Sequence, residues 1–323
     1  LNPNTVWYPS NGKFTLCNMV LDSIHSSSFH LNLVTLEGEI MSSMEANLHH
    51  SQDTTLRALV HMPNPIVSAN VTYGKSFSDH SNSTNSLLNR ELYEVYFKAK
   101  KLSAGIKLES DLLYFTNISS PRVPANPFSD TLPLVDRSDY RFELINSYYH
   151  LRKYQDRIRK MGFENLLTKL QVDPHALGGE DQSQFSPYRT PNSLEFGVGG
   201  VDDAEDAQVL IHELAHSLSH QASPFTNEGI ERKSMEEGNA DYLAMSYSQS
   251  LNANTGYDVF SWDGHNEYWD GYSINSSKKY PDDMQGTTNA DREIWSSALM
   301  CIHDKLGRKK TDSLVLEHLY YQS

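Results

Sequence analysis

His212-Glu213-Leu214-Ala215-His216 fits the pattern H-E-x-x-H and falls inside a stretch of helical periodicity. Ala207, Leu210, Ile211, Leu214 and Leu218 recur at three- and four-residue spacing, which predicts a helix over Asp202–Ser219. Positions four apart share one helix face. Both imidazoles can therefore reach one zinc ion, with Glu213 placed to take a proton from its water. Two satisfied histidines on a helix are the bland alternative. A fold for this chain must bury most of the helix and leave the histidine face accessible.

Zinc needs a third protein ligand and an open fourth position. Met235-Glu236-Glu237-Gly238-Asn239-Ala240-Asp241 follows on the next expected helix. Glu237 and Asp241 are four apart and suit a metal ligand with a second carboxylate behind it. Metal-bound histidines donate their other N–H to such a partner. Glu236 competes as the ligand, but its i+4 neighbour is Ala240, so Glu237 is preferred. The metzincin pattern fails, because Ser219 and Ala222 stand where it needs Gly and His. His220 lies one turn too far along.

The acids elsewhere bound the choice of partner. The chain of 323 residues carries 27 Lys+Arg against 41 Asp+Glu, a formal net charge of −14. Such a chain repels phosphate backbones and anionic lipid, which argues against nucleic acid as a partner. No stretch approaches the roughly 20 apolar residues of a membrane helix, so membrane insertion is not expected. No basic-then-apolar signal stands at Leu1–Ser10 and no Met begins the chain, so a processed or trimmed form is expected. Cys17 and Cys301 leave two readings open, one long-range bridge or two inert thiols.

Length predicts two domains or two lobes, at roughly 100–200 residues per domain. Residues 1 to 135 read as strands and loops, with Thr15–Val20, Phe29–Val34, Leu92–Phe97 and Leu112–Thr116 as strands. An amphipathic helix is expected over Tyr140–Met161, stopped by Gly162. Leu166–Val172 and Leu194–Val198 read as short strands, and Gly178–Ser193 as a polar loop. Ser234–Ser248, Arg292–Leu306 and Thr311–Tyr320 read as further helices. Asp202, Asp203, Glu205 and Asp206 could bind Ca²⁺. Acidic charge at a helix start is the preferred reading of them.

His212–His216 followed by Glu237-x-x-x-Asp241 resembles the thermolysin-type gluzincins. The flanks are more similar to fungalysin-related secreted bacterial peptidases. They are Tyr148-Tyr149-His150 through Phe163, Phe196-Gly197-Val198-Gly199-Gly200, Asp202–Ala207, Ser261-Trp262-Asp263-Gly264-His265-Asn266 and Glu293-Ile294-Trp295-Ser296, with Pro63-Asn64-Pro65 and Tyr73-Gly74 upstream. The similarity covers residues 60 to 323.

The resemblance implies an α+β, two-lobed zinc endopeptidase, secreted and expected to be monomeric, acting on peptide or protein substrates. A β-rich lobe over 1–222 would include the 140–161 helix and the active-site helix. A helical lobe over 223–323 would supply the third ligand. His212, His216 and Glu237 would hold one Zn²⁺, Glu213 would be general base and proton shuttle, and Asp241 would orient His212. Gln182, Ser183, Gln184 and Phe185 match the edge strand that pairs with extended substrate.

One departure stands out. Relatives carry His-x-x-Gly ahead of Glu-Ile-Trp, where this chain has Asn289-Ala290-Asp291-Arg292. Asn289 can donate a neutral hydrogen bond to an oxyanion but carries no charge. The alternative is therefore a weakened or inactive gluzincin kept as a peptide-binding or adhesive module. An aminopeptidase would need an acid that captures a free N-terminus, and the sequence identifies none. Tyr272 is a guess for a tyrosine donor. Trp262, Tyr268 and Trp269 are candidates for a subsite wall or for core.

Overall fold

The computed structural model describes residues 5–10, 13–25, 28–46, 52–79, 82–102, 105–265 and 271–322. It is a mixed α+β structure with several sheets and six α-helices. The chain divides into two compact units, Leu1–Gln52 with Lys101–Ala104, and Asp53–Lys100 with Gly105–Ser323. The boundary expected at 222/223 falls inside the second unit.

The first unit is an antiparallel sheet in chain order, β1 (Thr5–Ser10), β2 (Lys13–His25), β3 (Ser28–Thr35) and β4 (Ile40–Ala46). The strands expected at Thr15–Val20 and Phe29–Val34 are segments of β2 and β3.

The second unit begins with β5 (Gln52–Val60) and the short α1 (Pro65–Ala69). β6 (Tyr93–Leu102) and β7 (Gly105–Lys107) complete a sheet with β5. A second sheet has the order β10–β11–β9–β8, with β8 (Leu113–Phe115), β9 (Leu170–Asp173), β10 (Ser183–Ser186) and β11 (Ser193–Phe196). β9 runs parallel to β8 and β11, while β10 is an antiparallel edge strand. The polar stretch expected as loop over Gly178–Ser193 thus contains a strand. A strand at a sheet edge does not need apolar residues on both faces, so its polarity hid it.

Behind this sheet lie the long helices. α2 (Arg141–Lys160) buries Phe142, Ile145, Tyr148, Leu151, Tyr154 and Ile158, one apolar stripe at helical spacing. It packs on α3 (Ala207–Ala222), which packs on α4 (Ile230–Leu251). A short ribbon, β12 (Asp258–Val259) with β13 (Tyr272–Ser273), precedes α5 (Thr288–Leu306) and α6 (Arg308–His318). Among the described residues no helix is long and apolar enough to cross a membrane.

α3 starts later than the periodicity suggested. Asp203–Glu205 forms a separate 3-10 turn, and Asp206 is the N-cap, accepting from Gln208 N at 2.9 Å. The four acids are therefore not a charged first turn. Asp206 alone caps the helix, and the other three are buried side chains. Cys17 is a buried free thiol and Cys301 an exposed one, so neither forms a bridge. Trp262 is fully buried with Nε1 donating to Glu205 Oε2, a core residue. Tyr268 and Trp269 lie outside the described residues.

Candidate metal centre

His212 and His216 lie on the face of α3 that meets α4 and the cleft. Their Nε2 atoms are 3.0 Å apart. From α4, Glu237 brings Oε2 to 3.3 Å of His212 Nε2 and Oε1 to 3.9 Å of His216 Nε2. These three residues form a group that could hold a metal ion.

The far side of each ring is anchored. His212 Nδ1 lies 2.9 Å from Asp241 Oδ1, as the four-residue spacing from Glu237 suggested. His216 Nδ1 lies 2.6 Å from Glu236 Oε1. The residue weighed as a rival ligand thus holds the second histidine. Nothing in the sequence spacing distinguishes that role, because it depends on how α4 crosses α3.

Electrostatics favour positive charge at this point. Burial opposes charge on His212, as does His216, but Asp241 and Glu237 outweigh both and push the imidazole up to about 9. Burial also opposes charge on His216, and Glu236 and Glu237 reverse it. Burial would raise Glu237, yet His216, His212 and Arg292 hold it far below the carboxylate range.

Arg292 on α5 reaches the same cluster. Its Nη1 lies 3.4 Å from Glu237 Oε2 and its Nε 3.5 Å from Asp241 Oδ2. Gly238 permits this approach, since a Cβ there would stand 2.9 Å from the Arg292 carbonyl oxygen. Tyr272 donates its hydroxyl to Asp241 Oδ2, behind His212, and hydrogen-bonds with Ser296 Oγ at 3.1 Å. It is not among the residues lining the two cavities beside Glu213.

Glu213 follows His212 and sits where two cavities meet. One, of about 690 Å³, is lined by Ser183, Phe185, His216, His220 and Glu237 besides Glu213. The other, of about 330 Å³, is lined by Asp181, Gln182, Asp203, Asn289 and Arg292 besides Glu213. Ser183 Oγ donates to Glu213 Oε1 at 3.2 Å, tying the edge strand β10 to this carboxylate. Gln182, Ser183, Gln184 and Phe185 all line one cavity or both, and Asn289 lines the smaller. His212, Glu213, His216, Glu237, Asn289 and Gln182–Phe185 thus line these two adjoining cavities, with Asp241 against His212.

Two further groups of carboxylates could hold a metal ion, Glu143 with Asp202 and Glu205, and Asp181 with Asp203 and Asp263. The acids of Asp202–Asp206 are thus shared between two clusters and a helix cap. Sequence order alone groups them wrongly, because Glu143, Asp181 and Asp263 come from distant segments.

No protein-family model matches the chain, and no curated protein matches it.

Proposed function

We propose that the chain is a zinc-dependent endopeptidase of gluzincin architecture, its cleft lying within the second unit between β10 and the helices α3, α4 and α5. One observation carries the reading. Two histidine Nε2 atoms and a Glu237 carboxylate converge beside Glu213, which is hydrogen-bonded to an edge strand.

The donor set fits zinc. Tetrahedral zinc with bonds of about 2.0–2.2 Å spaces its ligand atoms roughly 3.3–3.6 Å apart. The separations of 3.0, 3.3 and 3.9 Å bracket that edge without any shift of backbone. Two ring nitrogens facing each other at 3.0 Å also call for a cation or a proton between them. Both rings have carboxylate partners on Nδ1, which fixes the tautomer that presents Nε2.

His212, His216 and Glu237 would hold the zinc, which would supply a Lewis acid for the scissile carbonyl and for the attacking water. Glu213 then takes the proton from that water and passes it to the leaving amine. Ser183 holds the Glu213 carboxylate in place through Oε1. β10 offers its free edge to the extended backbone of the substrate, which is read by main-chain hydrogen bonds. Asn289 supports the developing oxyanion with its amide N–H. The net acidity suits work outside the cell, and secretion belongs to the same reading.

Zinc analysis joined to mass spectrometry of products from a mixed peptide library tests this. The wild type should hold about one zinc per chain and cleave internal bonds, and Glu213→Gln should keep the metal and lose cleavage. A Glu213→Gln variant that cleaves as well as wild type overturns the reading. The second reading, a peptide-binding module, is favoured by Arg292 against Glu237 Oε2, where its charge weakens a ligand oxygen. Bound zinc and measurable peptide affinity with no turnover on any library member would select it.

A further inference from the structure

The smaller cavity beside Glu213 is lined by three aspartates as well. Asp181, Asp203 and Asp263 bring carboxylate oxygens within 4.8 Å of one another, and all three line this cavity. They come from the loop before β10, the 3-10 turn before α3 and the segment after β12. Asp203 lines the cavity but is only 1% exposed, and its buried Oδ1 has no hydrogen-bond partner. A buried carboxylate oxygen left so is costly unless something cationic meets it. Burial, then Asp263 and Asp181, hold Asp203 well above its ordinary pKa, so the strongest influences on it all disfavour its charge.

The loop is shaped for this arrangement. Gly200, at φ +61, would place a Cβ 2.4 Å from Asp181 Oδ2, so only a residue without a side chain lets that carboxylate stand where it does. The basic side chains lining the cavity are His212 and Arg292, and both are engaged by Glu237 and Asp241 rather than by the three aspartates. The cavity thus brings this carboxylate group together with His212 and Glu213.

We propose that Asp181, Asp203 and Asp263 form a cation-binding subsite for the ammonium or guanidinium group of the substrate peptide next to the scissile bond. This rests on the peptidase reading and adds the substrate class. Two sources supply that chemistry, a lysine or arginine side chain and a free N-terminus. A volume of about 330 Å³ accommodates either. A metal ion suits this group less well. Calcium takes about 6–8 oxygens, and three aspartates at the wall of a cavity leave much of that shell to solvent.

The test uses the full chain as Glu213→Gln loaded with zinc, so that binding is measured without cleavage. Three hexapeptides of otherwise equal sequence are compared by calorimetry: N-acetylated with a central lysine, N-acetylated with norleucine in its place, and norleucine with a free N-terminus. The lysine or the free-amine peptide should bind at least about tenfold more tightly than the acetylated norleucine peptide. Whichever gains affinity identifies the source. Adding Asp263→Asn, or separately Asp181→Asn, should bring the ratio towards one while the acetylated norleucine peptide binds as before. Equal binding of all three peptides overturns the subsite. So does a second tightly held divalent ion that is lost in Asp263→Asn. Failure of the peptidase reading shows elsewhere, as a wild type that cleaves nothing. Cleavage by wild type with no basic residue or free N-terminus favoured at the cut sites sinks the subsite alone.

Discussion

His216 Nδ1 and Glu236 Oε1 are 2.6 Å apart, so the carboxylate next to Glu237 in the chain anchors the second histidine and stands outside the His212–His216–Glu237 group that could hold a metal ion. With Asp241 on His212, each ring has its own acid, and both come from α4. Partners of this kind fix ring orientation and raise ligand basicity. Glu236→Gln should lower zinc affinity by about 10–100-fold, measured by competition with a chromophoric chelator. Glu237→Gln should lose more, since a ligand itself is removed. Equal affinities for wild type and Glu236→Gln would show that Glu236 does not tune the site.

What could be read from the chain follows from distance along it. α2 and α3 announce themselves because their apolar residues repeat within one element, and the two histidines and Glu213 share a single turn. Glu237 with Asp241 is the same kind of local pattern. Ser183 on Glu213, Glu236 on His216 and the Asp181–Asp203–Asp263 group are products of packing between elements. Asp203 and Asp206 look equivalent in sequence, yet one lines a cavity and the other caps α3. The Asp181–Asp203–Asp263 group is illegible in the sequence for this reason, because it is assembled from three segments.

Asn289 stands at the second position of α5 and lines the cavity that Glu213 shares. A neutral amide there can donate to a developing oxyanion, and loss of one such donor costs about 10²–10³ in rate. Asn289→Ala should therefore lower kcat by that factor, with zinc content unchanged and KM little altered. Unchanged kcat would remove Asn289 from the mechanism.

Gly238 sets the distance between α4 and α5. A Cβ there would meet the Arg292 carbonyl oxygen at 2.9 Å and Trp295 Cδ1 at 3.0 Å, so something must shift. Overpacking of this kind costs about 1–3 kcal/mol. Gly238→Ala should show that loss in urea denaturation. It should also strengthen zinc binding, because α5 would carry the Arg292 charge away from the ligand oxygen of Glu237. A variant as stable as wild type would mean that the helices part without cost.

His150 gives the fold a dependence on acid that one substitution can isolate. Its ring is buried, with Nδ1 2.9 Å from the Tyr247 hydroxyl and Nε2 2.9 Å from the His61 carbonyl oxygen. Burial lowers its pKa from 6.5 to about 3, with Lys153 and His61 adding to the effect and the His61 carbonyl opposing it. Between those values the unfolded chain binds a proton that the folded chain refuses. The stability that neutral His150 contributes is therefore complete above pH 6.5 and falls as the pH drops towards 3, by about 1.4 kcal/mol per unit. His150→Gln lacks the titrating group. It should be less stable than wild type at about pH 7.5, and the gap should narrow by roughly 2 kcal/mol at about pH 5. Urea denaturation of both proteins across that range measures the gap directly. A gap that stays constant with pH would mean that His150 takes up its proton in the folded chain as easily as in the unfolded one.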